Sequence, residues 1–440
     1  MAGLNTVVVG SSKTGTTGLY SAVWEGLSAA SGGNCYGLPE KDDLDLVRSL
    51  QRLAPDRVLA AKFLLTSVDF SDELLEAFDK RLMTVRDPRD TLLSVALFYP
   101  TKAFNAGVDE GRIEEFVDLV RKKEQDPASV DFLEIFSAVR VLMGNKNPSR
   151  VPLRRFRVAV EHADHHDPRI VQYERFVRDD LGDVSDYLGF PIRNVRPTGA
   201  SSFVFRSGGQ GEWRDWFTER DVELLRPKLR PYMERFGYAD DWELSSEPHL
   251  DPAYGSEYVR SSVAKRRNQV ALSRGEGEVA ERIHHLRELS EAGGVRSARR
   301  LAAILEEQDA EANAEEIRTQ LTFAASGGDL PAMDHLARHL GIGPASVRDP
   351  NHARRWQLEA ASCRERARAL REAHREAARL EHTRAQLERT RTQLRRTRQE
   401  LVRVRRSKRV RLASTVADAA RGGPRAWVRL PKRVGTIVRS

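Results

Sequence analysis

Over the first 245 residues, short apolar or β-branched runs alternate with longer stretches of helical period. The runs are TVVVG at 6–10, VLAAKFL at 58–64, RLMTVR at 81–86 and RIVQYE at 169–174. Strand-like and helix-like segments in this order predict an α/β fold: a three-layer arrangement with a parallel sheet and helices on both faces. Residues 1–245 form the expected first domain, long enough to bury a single core.

The texture then changes. Residues 260–361 are rich in Ala, Leu and Glu, and EAGGVRSARRLAAIL (291–305) matches ASGGDLPAMDHLARHL (325–340) at an offset of 34. Such a period is the signature of stacked helix pairs, with a plain helical bundle as the alternative. The A-x-x-G-D-x-x-A-M-x-x-L-A pattern from Ala325 to Ala337 resembles Sel1-like and tetratricopeptide repeats. In 362–407, Ala373, Leu380, Leu387, Leu394 and Leu401 fall seven apart, with Thr383, Thr390 and Thr397 three residues after leucines. That spacing predicts a coiled coil and hence a homo-oligomer; an arginine-rich solvated helix is the rival. Residues 408–440 read as a basic amphipathic tail, broken by Gly422-Gly423-Pro424.

Composition adds one thing to this picture. The chain of 440 residues carries a net charge of +8, and residues 402–440 hold twelve Lys/Arg against a single acid, Asp418. Taking that +11 from the total leaves −3 for everything before it, so the basic character belongs to the tail. Nucleic-acid binding by the body is not expected, whereas cations interleaved with Val, Leu, Ile and Trp427 suit an anionic membrane surface. Cys35 and Cys363 are too far apart to define a disulfide framework or metal site. With no leader-like segment and no apolar run near the ~20 residues a span requires, a cytoplasmic location is expected, peripheral at the inner membrane face.

Chemistry concentrates in three stretches. VVVGSSKTGTTGLY (7–20) runs from an apolar strand through a Gly/Ser/Thr turn into a helix, the architecture that holds phosphate on backbone N–H groups. Gly10 and Gly15 keep the spacing of a nucleotide loop, but Thr16 stands where its lysine belongs, which argues against a kinase; the lysine is Lys13, inside the turn. In RLMTVRDPRDTLLSVALFY (81–99), Asp87 and Pro88 are an N-cap and a first helical residue, an amphipathic helix follows, and Arg86 and Ser94 can converge on one anion. The bland alternative pairs Arg86 with Asp87 or Asp90. FRSGGQGEWRDWFT (205–218) is a glycine strip that starts at Arg206 and is closed against the core by Trp213 and Trp216.

Together these stretches resemble the PAPS-dependent sulfotransferases, which use 3′-phosphoadenosine 5′-phosphosulfate. Lys13-Thr14-Gly15-Thr16-Thr17 matches the family's K-[ST]-G-T-T phosphosulfate loop. Arg86 and Ser94 match its R-[DN]-P-R-D motif with a serine eight residues on, and Arg206, Gly208, Gly211 and Trp213 match R-x-G-x-x-G-x-W. Tyr173-Glu174 matches the family's Y-E dipeptide near the adenine. The resemblance covers roughly the first 245 residues and implies a P-loop-like fold with PAPS as sulfuryl donor and no metal.

It further implies a role for each residue. Lys13 would neutralise charge growing on the leaving phosphate, while Thr14, Gly15, Thr16 and Thr17 hold the 5′-phosphate. Arg86, Ser94 and Arg206, with Ser207 and Gly208 beside them, would clamp the 3′-phosphate, and Tyr173 would lie near the adenine. Ser12 and Gly18 depart from the family's proline and tryptophan. Lys62 fits the small-molecule branch, but the histidine two residues on is Leu64. The glycan-modifying branch uses a glutamate in a Lys-Glu pair, and YGLPEKDDLDL (36–46) offers Glu40 as base, with Asp42 and Asp43 as alternatives or simple helix caps. The expected acceptor is therefore a hydroxyl on a carbohydrate or lipid-linked glycan. The competing expectation is a membrane-peripheral scaffold whose sulfotransferase-like domain is degenerate. The histidines of EHADHHD (161–167) have a metal-like spacing but read as a polar surface loop.

Overall fold

In a computed structural model of the chain, residues 4–39, 44–65, 72–144, 153–195, 205–291 and 293–439 are described. The chain divides into two compact units, Met1–Ala360 and Ala361–Ser440.

The first unit opens with β1 (Thr6–Gly10), α1 (Thr16–Ala30), β2 (Cys35–Pro39), α2 (Leu44–Leu53), β3 (Val58–Leu64), α3 (Asp72–Glu76), β4 (Lys80–Val85) and α4 (Pro88–Asn105). After α5 (Glu110–Gln125), α6 (Phe132–Leu142) and α7 (Arg154–His166), β5 (Arg169–Gln172) completes a five-stranded sheet of order β2-β3-β1-β4-β5. Every pairing is parallel, and Gly10 lies opposite both Leu64 and Thr84. The chain therefore leaves β1, β3 and β4 at the same edge of the sheet. Connections run to opposite sides from β1 and β4, which opens a crevice beyond their carboxyl ends.

Both faces of the sheet are covered. Val8, Ala60, Leu82 and Val171 share a core with Leu19, Val23 and Leu27 of α1, and on the opposite face Val7, Val9, Ala61, Phe63, Met83 and Val85 are fully buried. Two-sided burial is why these strands read as continuous apolar runs. β2 is the strand the apolar pattern misses, because CYGLP carries a glycine and a proline; proline is tolerated there since β2 is an edge. The expected amphipathic helix after Arg86 is corrected: α4 is buried nearly all round, including Asp90, Thr91 and Ser94. A helix enclosed on every side loses the polar stripe of a surface helix.

Beyond β5 come α8 (Tyr173–Val177), α9 (Gly182–Leu188), α10 (Trp213–Trp216) and α11 (Glu219–Phe236). α8 begins at Tyr173, so Tyr173-Glu174 open a helix instead of ending the strand. α12 (Ser256–Arg274) lies against α4 and α5, and α13 (Val279–Glu291), α14 (Val295–Asp309), α15 (Ala314–Ser326) and α16 (Leu330–Ile342) follow as two helical hairpins.

The hairpins repeat every 35 residues. At that offset Leu286 matches Leu321, Leu301 matches Leu336, Ala302 matches Ala337 and Leu305 matches Leu340, all buried. The Gly-Gly dipeptides match at 34 because the left-handed residue is the first glycine of one turn (Gly293, φ 80°) and the second of the other (Gly328, φ 85°). The second hairpin packs on the sheet edge, with the Phe323 ring 4.9 Å from the Tyr36 ring on β2. A covered edge strand cannot recruit a foreign one.

The long α17 (Pro350–Arg406) starts within the first unit, where Ala353 and Ala360 are buried and Glu359 pairs with Arg52 at 2.6 Å. In the second unit Leu380, Leu387, Leu394 and Leu401 are 67%, 52%, 66% and 56% exposed along it. α18 (Lys408–Arg421) and α19 (Pro424–Arg439) form a hairpin that turns at Gly423 (φ 73°). The proline begins the new helix, where its missing N–H costs nothing. No described helix is long and apolar enough to cross a membrane.

Candidate functional site

The turn between β1 and α1 is held by two left-handed residues, Lys13 (φ 74°) and Gly15 (φ 90°). Gly15 is required twice over: its φ strains any L side chain, and a Cβ there would meet the Tyr173 ring at 2.4 Å. Thr14 turns inward, its hydroxyl donating to the Ser11 carbonyl at 2.8 Å and meeting Thr84 Oγ1 at 2.9 Å. Its side chain therefore shapes the turn and does not line the cleft. Thr17 accepts from Lys62 Nζ at 2.9 Å, which anchors the start of α1 to β3.

A cleft of about 430 Å³ lies over this turn, at the carboxyl edge of the sheet. Lys13, Gly15, Thr16 and Thr17 line it from the turn, Arg86 and Ser94 from the β4–α4 junction, Tyr173 from α8, and Arg206, Ser207 and Gly208 from the glycine strip. Four stretches far apart in sequence thus meet at one cleft. Glu40, with Asp42 and Asp43, lies outside the described residues.

The two arginines are buried and only partly satisfied. Arg86 donates to the carbonyls of Lys13 at 3.4 Å and Gly209 at 3.1 Å, and its guanidinium sits 4.4 Å from the Tyr173 ring centre. Arg206 pairs with Glu212 and donates to the Tyr254 carbonyl at 3.2 Å. Each retains a buried Nε–H with no hydrogen-bond acceptor. A buried donor without a partner is costly, so both guanidinium groups are held with a hydrogen bond unmade.

The acids beside Arg86 are engaged elsewhere. Asp87 pairs with Arg89 at 2.6 Å, and Arg89 is itself packed between Trp213 and Trp242. Asp90 accepts from the N–H groups of Gly211 at 2.7 Å and Trp213 at 3.1 Å, tying the glycine strip to α4. Burial pushes the Asp90 carboxyl up to about 6, against the pull of Arg86 and the two N–H donors. Glu174 accepts from the Asp87 N–H at 2.9 Å and the Tyr238 hydroxyl at 3.0 Å, so it braces the junction next to Tyr173.

The cleft is electropositive. Its described lining contains Lys13, Arg86, Lys102, Arg206 and Arg266, and no Asp, Glu or His. Burial lowers the Lys13 ammonium well below its ordinary range, and Arg86, Arg206, Lys102 and Lys62 lower it further. Lys13 Nζ lies 4.1 Å from the Phe98 ring centre. An anion beside Lys13 would reverse the repulsion and favour the charged form.

Sequence reasoning missed part of this lining. Phe98, Thr101 and Asn105 follow Ser94 at helical spacing on one face of α4, a signal that was available. Leu64 lines the cleft from the end of β3. Arg266, from α12, belongs to no motif.

The EHADHHD stretch is corrected from surface loop to the end of α7. His165 and His166 gather with Asp72, their ligand atoms within 4.8 Å of one another, but both Asp72 and His165 are exposed. No family model matches the chain, and no curated protein matches it.

Proposed function

We propose that this chain is a sulfotransferase that moves a sulfuryl group from PAPS to a hydroxyl of a carbohydrate or lipid-linked glycan. The observation that carries the reading is the convergence of four sequence-distant motifs, in the family's order, on one cleft whose described lining has cations and no acid. Nothing in the described lining conflicts with a multiply charged donor.

In this reading the β1–α1 turn acts as a P-loop-like cradle for the 5′-phosphosulfate, with the N–H groups of Gly15–Thr17 directed at anionic oxygens, while the Thr14 N–H is spent on the Ser11 carbonyl inside the turn. Arg86, Ser94, Ser207 and Gly208 hold the 3′-phosphate, and Arg206 joins them while remaining partly neutralised by Glu212. Tyr173 flanks the adenine. The acceptor oxygen forms a bond to sulfur as the bond from sulfur to the 5′-phosphate oxygen breaks, and the electron pair leaves with PAP. Lys13 stabilises the charge on that oxygen, and the acceptor proton passes to Glu40. The protein's work is in-line positioning and charge stabilisation, and no metal is required.

The exposed leucine stripe of α17 supports self-association as a coiled coil. In α19, Arg425, Arg429, Lys432 and Arg433 share one face and Ala426, Leu430, Val434 and Ile437 the other, which supports peripheral attachment to an anionic inner membrane face. These same features support the rival scaffold reading, in which the cleft binds nothing.

Ligand-dependent melting separates the two. PAP should raise the melting temperature far more than AMP or ATP, because a ligand at a hundredfold excess over its Kd stabilises by roughly 2.7 kcal/mol. Equal shifts with ATP and PAP would sink the sulfotransferase reading, and no shift with any of them would favour the scaffold.

A further inference from the structure

The cleft contains more positive charge than the donor motifs supply. Lys13, Arg86 and Arg206 come from those motifs, whereas Lys102 comes from the last turn of α4 and Arg266 from α12. Along α4, the rise of 1.5 Å per residue puts Lys102 and Asn105 about 12–16 Å from Ser94. They therefore lie two to three turns beyond Ser94 of the proposed 3′-phosphate clamp, on the stretch of α4 that carries Phe98 and Thr101.

Arg266 differs from its neighbours on α12. Arg260 pairs with Glu114 and Arg267 with Glu110, both on α5. Arg266 donates only to neutral groups, Asn105 Oδ1 at 2.9 Å and Gln269 Oε1 at 3.0 Å. Among the described residues it has no carboxylate partner, and neither does Lys102, whose ammonium lies 5.4 Å from the Tyr99 ring centre. A half-buried guanidinium held by amides, in one cleft lining with a half-buried ammonium, is a site with its charge unspent. Partial burial also lowers Arg266 from its ordinary range, so an arriving anion would meet less competing water.

We infer that Lys102, Asn105 and Arg266 form an acceptor subsite selective for a hydroxyl-bearing molecule that carries its own negative charge, such as a uronic-acid glycan. The inference rests on the PAPS reading for which end of the cleft belongs to the acceptor. It gives α12, which lies outside the motif-bearing region, a part in the site: Arg266 and Lys102 fix the anionic group, and Phe98 and Thr101 flank the sugar between that group and the sulfuryl-donor end. Such a site rejects neutral analogues because its cations would be left desolvated and unpaired.

The test is calorimetry on the full chain with two probes, a glucuronate-terminated oligosaccharide and its carboxyl-reduced neutral counterpart, each titrated with and without saturating PAP. The glucuronate probe should bind at least tenfold more tightly than the neutral one, and Lys102→Met and Arg266→Gln should each abolish most of that preference. PAP affinity should stay within about twofold in both variants, and Arg266→Lys should restore part of the preference. Equal binding of the two probes, no binding of the charged one, or a preference that survives both substitutions overturns the inference. A wild-type chain that fails to bind PAP but keeps a charge preference dependent on Lys102 and Arg266 overturns the donor assignment and leaves the anion site standing.

Discussion

The cleft and the C-terminal arm both concentrate positive charge, and they do so in opposite ways. In the arm the cations are consecutive in sequence, spread over α18 and α19, and mostly exposed. In the cleft five cations come from the β1–α1 turn, the end of β4, α4, the glycine strip and α12, and the side chains of Arg86 and Arg206 are buried. Exposed charge costs little and is weakly selective. Gathering like charges out of water is expensive, and a fold retains such an arrangement when a ligand compensates it. The visible basic tail is thus the weaker evidence for function, and the scattered cations are the stronger.

Substitutions can break or sharpen that contrast. The largest effect is expected from Lys13→Met, which should leave PAP binding nearly intact and lower sulfuryl transfer about 10²–10³-fold, the usual loss when one stabilising group at a developing oxyanion is removed. Single-turnover rates beside PAP titrations would check it, and parallel losses in both would make Lys13 a binding residue only. Next, Arg86→Ala should weaken PAP about 10–100-fold through loss of a charge-assisted contact. Normal PAP affinity in that variant, measured by calorimetry, would remove Arg86 from the clamp.

In the arm the effects should be smaller. Leu387→Ala should weaken self-association about tenfold, since the 52% of its surface still exposed can contribute roughly half of the 1.5–3 kcal/mol of a full leucine burial; sedimentation equilibrium that shows a monomer in the unsubstituted chain would end the coiled-coil proposal. Smallest is Arg429→Ala, expected to cost about 1 kcal/mol of binding to anionic vesicles and nothing in PAP affinity. Binding indifferent to salt and to vesicle charge would count against a membrane role. The hairpin bears on this outcome, because α19 packs on α18 and Leu430 and Val434 are already half-buried.

Legibility followed the range of the interactions. Three of the strand-like runs match β1, β3 and β4 closely, since two-sided burial demands continuous apolar residues. β2 was hidden because an edge strand tolerates Pro39 and because a Cβ at Gly37 would meet the Tyr20 hydroxyl of α1 at 2.4 Å. The repeat was legible as a period near 35 but not in register, because identical Gly-Gly pairs hide which glycine takes the positive φ. Within the site, Thr14 matched its motif, yet its hydroxyl is consumed inside the turn. Arg206 matched too, but its pairing with Glu212 depends on how the strip folds back.

By itself the sequence determined the parallel α/β core, the β1 turn and its lysine, the N-capped start of α4, the glycine strip, and the helical character of everything after residue 260. These depend on neighbours within a few residues: capping, backbone dihedrals and periodic burial. Only the tertiary structure decided that Asp90 holds the glycine strip at Gly211 and Trp213 while Arg86 donates to Gly209, that α4 is buried nearly all round, and that Lys102 and Arg266 share the cleft with Lys13. Those facts arise from contacts between residues far apart in sequence, 121 positions for Asp90 and Gly211, where pairing partners are set by the packing of whole elements and no local pattern records the choice.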